Sequence, residues 1–340
     1  MRPVIYDCDN TIDVLFSDVD DGLALLYLMG AQDCVDLLGV TTTYGNSREE
    51  TVYKATRKML RQCGREDIPV YRGGGAPEDY ESSAAAFLAE QAAKYPGELT
   101  VLATGSLTNL RGAFLKDPQF FKNVSEIVLM GGITEPLVFS RNTMDELNFS
   151  CDPRASFDVL TRGAKVTTVT GNNCLKVLFT TKEYRKELYK SHTPVGDFIR
   201  DKADLYEGLN ESVFGIEGFY NWDVLSAAWL CHPEYFEDKV RQYDVTEEDL
   251  KTGFLRASDR GTTTLNLPEV RDPEAFRKHI YETWLRAEIS YKSRNYLPLR
   301  AVKRIVYPIL HKGAAIYWNM GKMGVAFTGE GINGHKEKTR

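Results

Sequence analysis

Two acidic runs stand near the start of the chain: Asp7-Cys8-Asp9-Asn10-Thr11 and Asp18-Val19-Asp20-Asp21. The first follows the apolar Val4-Ile5-Tyr6. The second opens the helix-like stretch DGLALLYLMG, Asp21 to Gly30. A strand ending in acids, followed by a helix beginning with them, packs several negative charges into one loop. Carboxylates held that close raise one another's pKa unless something neutralises them. A hard cation with oxygen ligands, calcium or magnesium, answers that need. The plainer reading is a solvated loop with helix-capping acids. The apolar runs on both sides speak against it, because they bury the ends of the loop.

The elements that must hold these residues follow from the hydrophobic pattern. Pro3 to Tyr6, Val35 to Thr43, Leu99 to Ala103, Val124 to Met130 and Lys165 to Thr170 read as strands. Asp21 to Gly30, Glu50 to Cys63, a segment from Thr108, and Phe276 to Ile289 read as helices. This alternation predicts an α/β fold of Rossmann-like type, with a mostly parallel central sheet and helices on both faces. In such sheets ligands bind beyond the carboxyl ends of the strands. Polar groups collect there: Asp7 and Asp9, Thr104-Gly105, Gly131-Gly132, and Gly171-Asn172-Asn173. Asn172 and Asn173 could face the site.

The 340 residues suffice for one large α/β domain. A net charge of -6 gives no global reason to bind nucleic acid or membrane. The six cysteines form no C-x-x-C pair and the five histidines are scattered, which argues against a zinc site. No apolar stretch is long enough to span a membrane and no signal peptide is evident, so a cytoplasmic protein with reduced thiols is expected. Residues 1–290 read as one catalytic domain. Residues 291–340 read as a basic, partly helical extension, with Leu299, Val302, Val306, Ile309 and Leu310 on one face.

The opening fits two enzyme families. Val4 to Thr11 resembles the D-x-D-x-T motif of haloacid-dehalogenase-like phosphatases, which would make Asp7 a nucleophile working with magnesium. That reading leaves Asp20-Asp21 unexplained. The chain more fully resembles the nucleoside hydrolases. Asp7-Cys8-Asp9 and Asp20-Asp21-Gly22-Leu23-Ala24 are similar to their D-x-D-x-x-x-D-D opening, with an inserted segment from about Ile12 to Asp18. Thr41-Thr42-Thr43-Tyr44-Gly45-Asn46, Thr104-Gly105-Ser106-Leu107-Thr108-Asn109 and Val128-Leu129-Met130-Gly131-Gly132 follow in order. Glu146-Leu147-Asn148 with Asp152-Pro153-Arg154-Ala155, and Trp222-Asp223-Val224-Leu225, complete the series, which covers roughly residues 3 to 290.

The resemblance implies calcium-dependent hydrolysis of the bond between ribose and base, in nucleoside salvage, by a homodimer or homotetramer. It implies that Asp9, Asp21, Asp223 and the Thr104 carbonyl hold calcium, with Asp7 supporting them. Asp9 would also take the proton of the attacking water. Asp20, Met130, Glu146, Asn148 and Asp223 would meet the sugar, with Asn142 as a further candidate, and Asn46 would bond the sugar or the calcium shell. Cleavage through an oxocarbenium-like sugar needs the negative field these aspartates provide. Many members of the family place a histidine before the late aspartate. Trp222 stands here instead, which resembles the purine-preferring branch, where the indole stacks on the base. Tyr80, Tyr206, Phe214, Phe219 and Tyr220 are candidates for the rest of the base pocket. Asp13 and Asp18, in the inserted segment, read as solvated. A third reading is a nucleoside- or ribose-binding protein without turnover.

Overall fold

The apolar run that leads into Asp7 and Asp9 forms strand β1 (Arg2–Cys8), third from one edge of the main sheet. The structure, a computed structural model, describes residues 1–15, 17–163 and 165–293, with Ile309, Lys312 and Gly313. Most of the expected basic extension, its helical face apart from Ile309 included, lies outside the described residues.

Chain order gives β2 (Val35–Thr42), β3 (Val70–Tyr71), β4 (Thr100–Ala103), β5 (Glu126–Met130), β6 (Val166–Val169), β7 (Val240–Asp244), β8 (Arg256–Ala257) and β9 (Thr263–Asn266). The longer helices are α1 (Asp20–Gly30), α2 (Glu49–Cys63), α3 (Ser83–Lys94), α4 (Thr108–Lys116), α5 (Pro153–Arg162), α6 (Pro194–Phe214), α7 (Trp222–Cys231) and α8 (Pro273–Leu285). Among the described residues one sheet runs β8-β7-β9-β6-β5-β4-β1-β2-β3. The pairings from β9 to β3 are parallel, and β7 lies antiparallel to both β9 and β8. The predicted α/β class and mostly parallel sheet are therefore observed.

Alternation along β1 divides the interior. Val4, Tyr6 and Cys8 join one apolar layer with α1, α7 and α8, while Ile5 joins the other with α3 and α4. All eleven residues of α1 are buried, including its two acids. A helix apolar all round belongs inside a large core, and α1 lies among α7, α8 and the sheet. Among the described residues no helix is long and apolar enough to cross a membrane.

Candidate active site

Parallel pairing brings the ends of β1, β2 and β4 together. Asp7 lies opposite Thr41 on β2 and Ala103 on β4, so the residues that follow these three strands share one rim. The first turn of α1 delivers Asp20 and Asp21 to this rim, and the first turn of α7 delivers Asp223. Both helix N-termini carry partial positive charge, which favours acids there.

Asp20, Asp21 and Asp223 are buried, and each offers a carboxylate oxygen within 4.8 Å of the others. Asp9, with no exposed surface, stands within hydrogen-bonding reach of Asp21. Asn46, in the loop after β2, ties the two together. Its backbone N–H donates to Asp9 Oδ2 at 2.5 Å, and its side-chain amide lies 3.4 Å from Asp9 Oδ1 and 3.3 Å from Asp21 Oδ2. A Cβ added at Gly45 would come 2.0 Å from Asp9 Oδ2, so this close approach requires glycine.

The field at this rim is strongly negative. Burial, and then neighbouring carboxylates, hold Asp9, Asp20 and Asp223 well above the usual carboxylate range. Burial pushes Asp21 up to about 6, against the hydrogen bond from Thr104. Among the described residues no lysine or arginine forms an ion pair with any of the four. Carboxylates in that state must be protonated or answered by a cation. The all-oxygen donor set suits a hard divalent ion.

Asp7 supports the rim from beneath. Its Oδ1 accepts from Thr41 Oγ1 at 2.5 Å and from Asn109 Nδ2 at 2.8 Å, and its buried Oδ2 has no partner among the described residues. Burial raises its carboxyl to about 7. A carboxyl with a raised folded pKa binds its proton in the native state over a range where the unfolded chain has released it. Stability then falls as pH rises from the unfolded value near 4 through about 7. The chelated protein is expected to melt several degrees lower at pH 8 than at pH 5. Asp7→Asn should flatten that slope, as thermal denaturation across the range would show; an unchanged slope would remove Asp7 from the explanation.

Thr104 and Asn148 close the opposite side. The Thr104 hydroxyl donates to Asp21 Oδ1 at 2.8 Å and lies 2.9 Å from the Tyr6 hydroxyl, which also donates to the Asp21 carbonyl at 3.1 Å. Asn148 Nδ2 donates to the carbonyls of Thr104 and Met130, both at 2.9 Å. The carboxylate of Glu146 accepts from the backbone N–H groups of Gly132, Phe149 and Ser150, organising its own loop. Asn142 Nδ2 donates to the Val213 carbonyl at 2.6 Å, fastening the hairpin of Leu137–Val138 and Thr143–Met144 to the end of α6. Trp222 is buried in an aromatic group with Tyr220, Phe139 and Phe214, directly beside Asp223.

The structure thus gathers Asp9, Asp20, Asp21, Asn46, Thr104 and Asp223 in one linked cluster, with Asn148 and Met130 at its edge. Asp20, which the resemblance assigns to the sugar, stands in the close carboxylate triad with Asp21 and Asp223. Tyr80 lies against Arg111, its hydroxyl 3.0 Å from that guanidinium. Asn172 and Asn173 serve turns, the first holding Thr134 and the second capping the short helix Gly171–Cys174. Asp13 and Asp18 are not simply solvated. Asp13 pairs with Lys58 and Lys202, and Asp18 accepts from Tyr206. Sequence reasoning also assigned no role to Tyr6 and Asn109. Tyr6 is hidden in an apolar run, whereas Asn109 ends a quoted motif and could have been found there.

A mostly parallel α/β sheet whose strand ends and two helix N-termini converge on buried carboxylates, with amides and aromatic rings beside them, is a site that could hold a hard cation and act on a polar small molecule. The chain belongs to the inosine-uridine preferring nucleoside hydrolases: that family's profile matches residues 4–278. It is therefore a glycosidase acting on N-glycosyl compounds, and the phosphatase and non-catalytic readings fall. The buried, hydrogen-bonded Asp7 is also poorly placed for a nucleophile. Uridine nucleosidase 1 of Arabidopsis thaliana is 32% identical over 252 residues, covering 65% of this chain and 73% of that protein. Probable uridine nucleosidase 1 of Oryza sativa subsp. japonica is 28% identical over 266 residues, covering 69% and 80%. A purine-preferring ribonucleoside hydrolase from Gardnerella vaginalis shares the fold, with a TM-score of 0.72 at 24% identity, covering 85% of this chain and 100% of that one.

Proposed function

We propose that this nucleoside hydrolase works with calcium and prefers purine ribonucleosides. The observation that carries the metal is the buried cluster of Asp20, Asp21 and Asp223 with Asp9 beside it. A bound calcium would supply a hard Lewis acid that acidifies water and grips vicinal hydroxyls. Asp21 and Asp223 would hold it, with Asp9 and the Thr104 carbonyl.

The chain's own groups then divide the work. Asp9 accepts the proton of the attacking water, Asn46 fixing its carboxylate through both the backbone and the side-chain amide. Asp20 and Asp223 take hydrogen bonds from the ribose hydroxyls, and Asn148 and Met130 border the sugar from the β5 side. The clustered negative charge favours the cationic sugar of the transition state over the neutral substrate. Among the described residues no histidine stands by Asp223. His232 and His279 face each other near Tyr27, at the far end of α1. Stacking on Trp222 and its aromatic neighbours is therefore the help offered to the departing base, and a flat indole suits a purine.

The relatives named for uridine favour a second reading, in which a pyrimidine nucleoside is the better substrate. Release of ribose from inosine, adenosine, guanosine, uridine and cytidine, with calcium or with a chelator, separates the two. Faster release from purines supports the first reading, and faster release from uridine replaces it with the second. Six free cysteines, three of them fully buried, suit the reducing cytoplasm in which we place the enzyme.

A further inference from the structure

The inserted segment between the two acidic runs is tied at both ends of its course. Asp13 adopts a left-handed backbone, φ 72°, and its carboxylate meets Lys58 of α2 at 2.5 Å and Lys202 of α6 at 3.0 Å. The Thr11 hydroxyl donates to the Asp18 carbonyl at 3.1 Å. Asp18 then does two things with one carboxylate. Its Oδ1 accepts from the backbone N–H groups of Val19 at 2.6 Å and Asp20 at 3.3 Å, and its Oδ2 accepts from the Tyr206 hydroxyl at 2.7 Å.

That arrangement matters because of what α1 lacks. The residue at its cap position is Val19, whose side chain accepts no hydrogen bond. The free N–H groups of a helix start need an acceptor, and Asp18 supplies one from outside the helix. Tyr206 holds that acceptor in place. It is buried on α6, with the ring of Phe219 packed edge-on at 5.2 Å. Asp18 is also close enough for its charge to act on Asp9, Asp20, Asp21 and Asp223.

We propose that Asp18 and Tyr206 are positioning residues for the hydrolysis: the phenol–carboxylate bond fixes where the first turn of α1 presents Asp20 and Asp21. This rests on the roles proposed above for those two aspartates. The loop itself needs no help from Asp18 to stay down, since Asp13 anchors it to two helices. What Asp18 adds is a link between α6 and the helix start that bears the reacting site. Misplacing such groups by about 1 Å can cost on the order of a hundredfold in rate.

Steady-state kinetics and melting of the full chain test this with Tyr206→Phe, Asp18→Asn, their double variant and Lys202→Met. The substrate is whichever nucleoside the wild type cleaves fastest, so a wrong base leaves the test intact. Tyr206→Phe and Asp18→Asn are each expected to lower kcat about tenfold with KM moving less than about threefold. The double variant should be no slower than the slower single one, because both break the same link. Lys202→Met should lower the melting temperature and leave kcat near the wild-type value. Losses that multiply in the double variant, or kcat within about twofold of wild type in both single variants, would overturn the proposal. A wild type that cleaves no nucleoside would instead strike the proposed function.

Discussion

Asp9→Asn is expected to lower kcat by about three orders of magnitude, the middle of the range for loss of a general base. The change keeps the shape of the side chain and leaves an oxygen to accept from the Asn46 N–H, so the loop should hold its course. It removes one of several buried charges that now repel, so the chelated protein should melt no lower than wild type. KM should change little, because the groups proposed to bind the sugar are other residues. Initial rates and melting curves read all three effects. A variant retaining a tenth of the activity would show that another group takes the proton.

Removal of the proposed calcium is the second large effect. Dialysis against a chelator is expected to slow hydrolysis at least a hundredfold, with calcium restoring it. Calcium should also raise the melting temperature, because an ion that binds only the folded state adds about 2.7 kcal/mol at a concentration one hundred times its Kd. Asp223→Ala should lose activity in the same way and resist rescue, since it removes one corner of the triad. Calorimetric titration of the chelated protein supplies an independent reading. No heat of binding, together with full activity in chelator, would mean that the carboxylates share protons instead of a cation.

Much of this site is legible in the sequence. Residues such as Asp7, Asp9, Asp20, Asp21 and Thr104 announce themselves because strand ends and helix starts are local features. The apolar runs around them mark both the element and its end. The observed bounds of α1, α2 and β2 differ from the sequence reading by a residue or less. Tertiary pairing was harder to see. The antiparallel edge of β7 and β8 rests on contacts between short polar strands, which carry little periodicity of their own. The long α6 is signalled only by its start, where Thr193 caps it and Pro194 begins it. Asp18 reads as one more acid in a polar loop, since its partner Tyr206 lies 188 residues further along the chain. The motif of Glu146 points to the sugar, whereas the three backbone amides that its carboxylate also accepts from carry no local sequence signal.

The total burial of α1 has a consequence for how the enzyme fails. Amides in a helix enclosed on every side exchange with solvent only when the surrounding layers come apart. Asp20 and Asp21 ride on that helix, so no cheap local opening can displace them while the domain stays folded. In rising urea, catalysis and far-ultraviolet ellipticity should vanish together, and heat inactivation should track global unfolding. The acids proposed to hold calcium are thus mounted on one of the last parts of the chain to loosen.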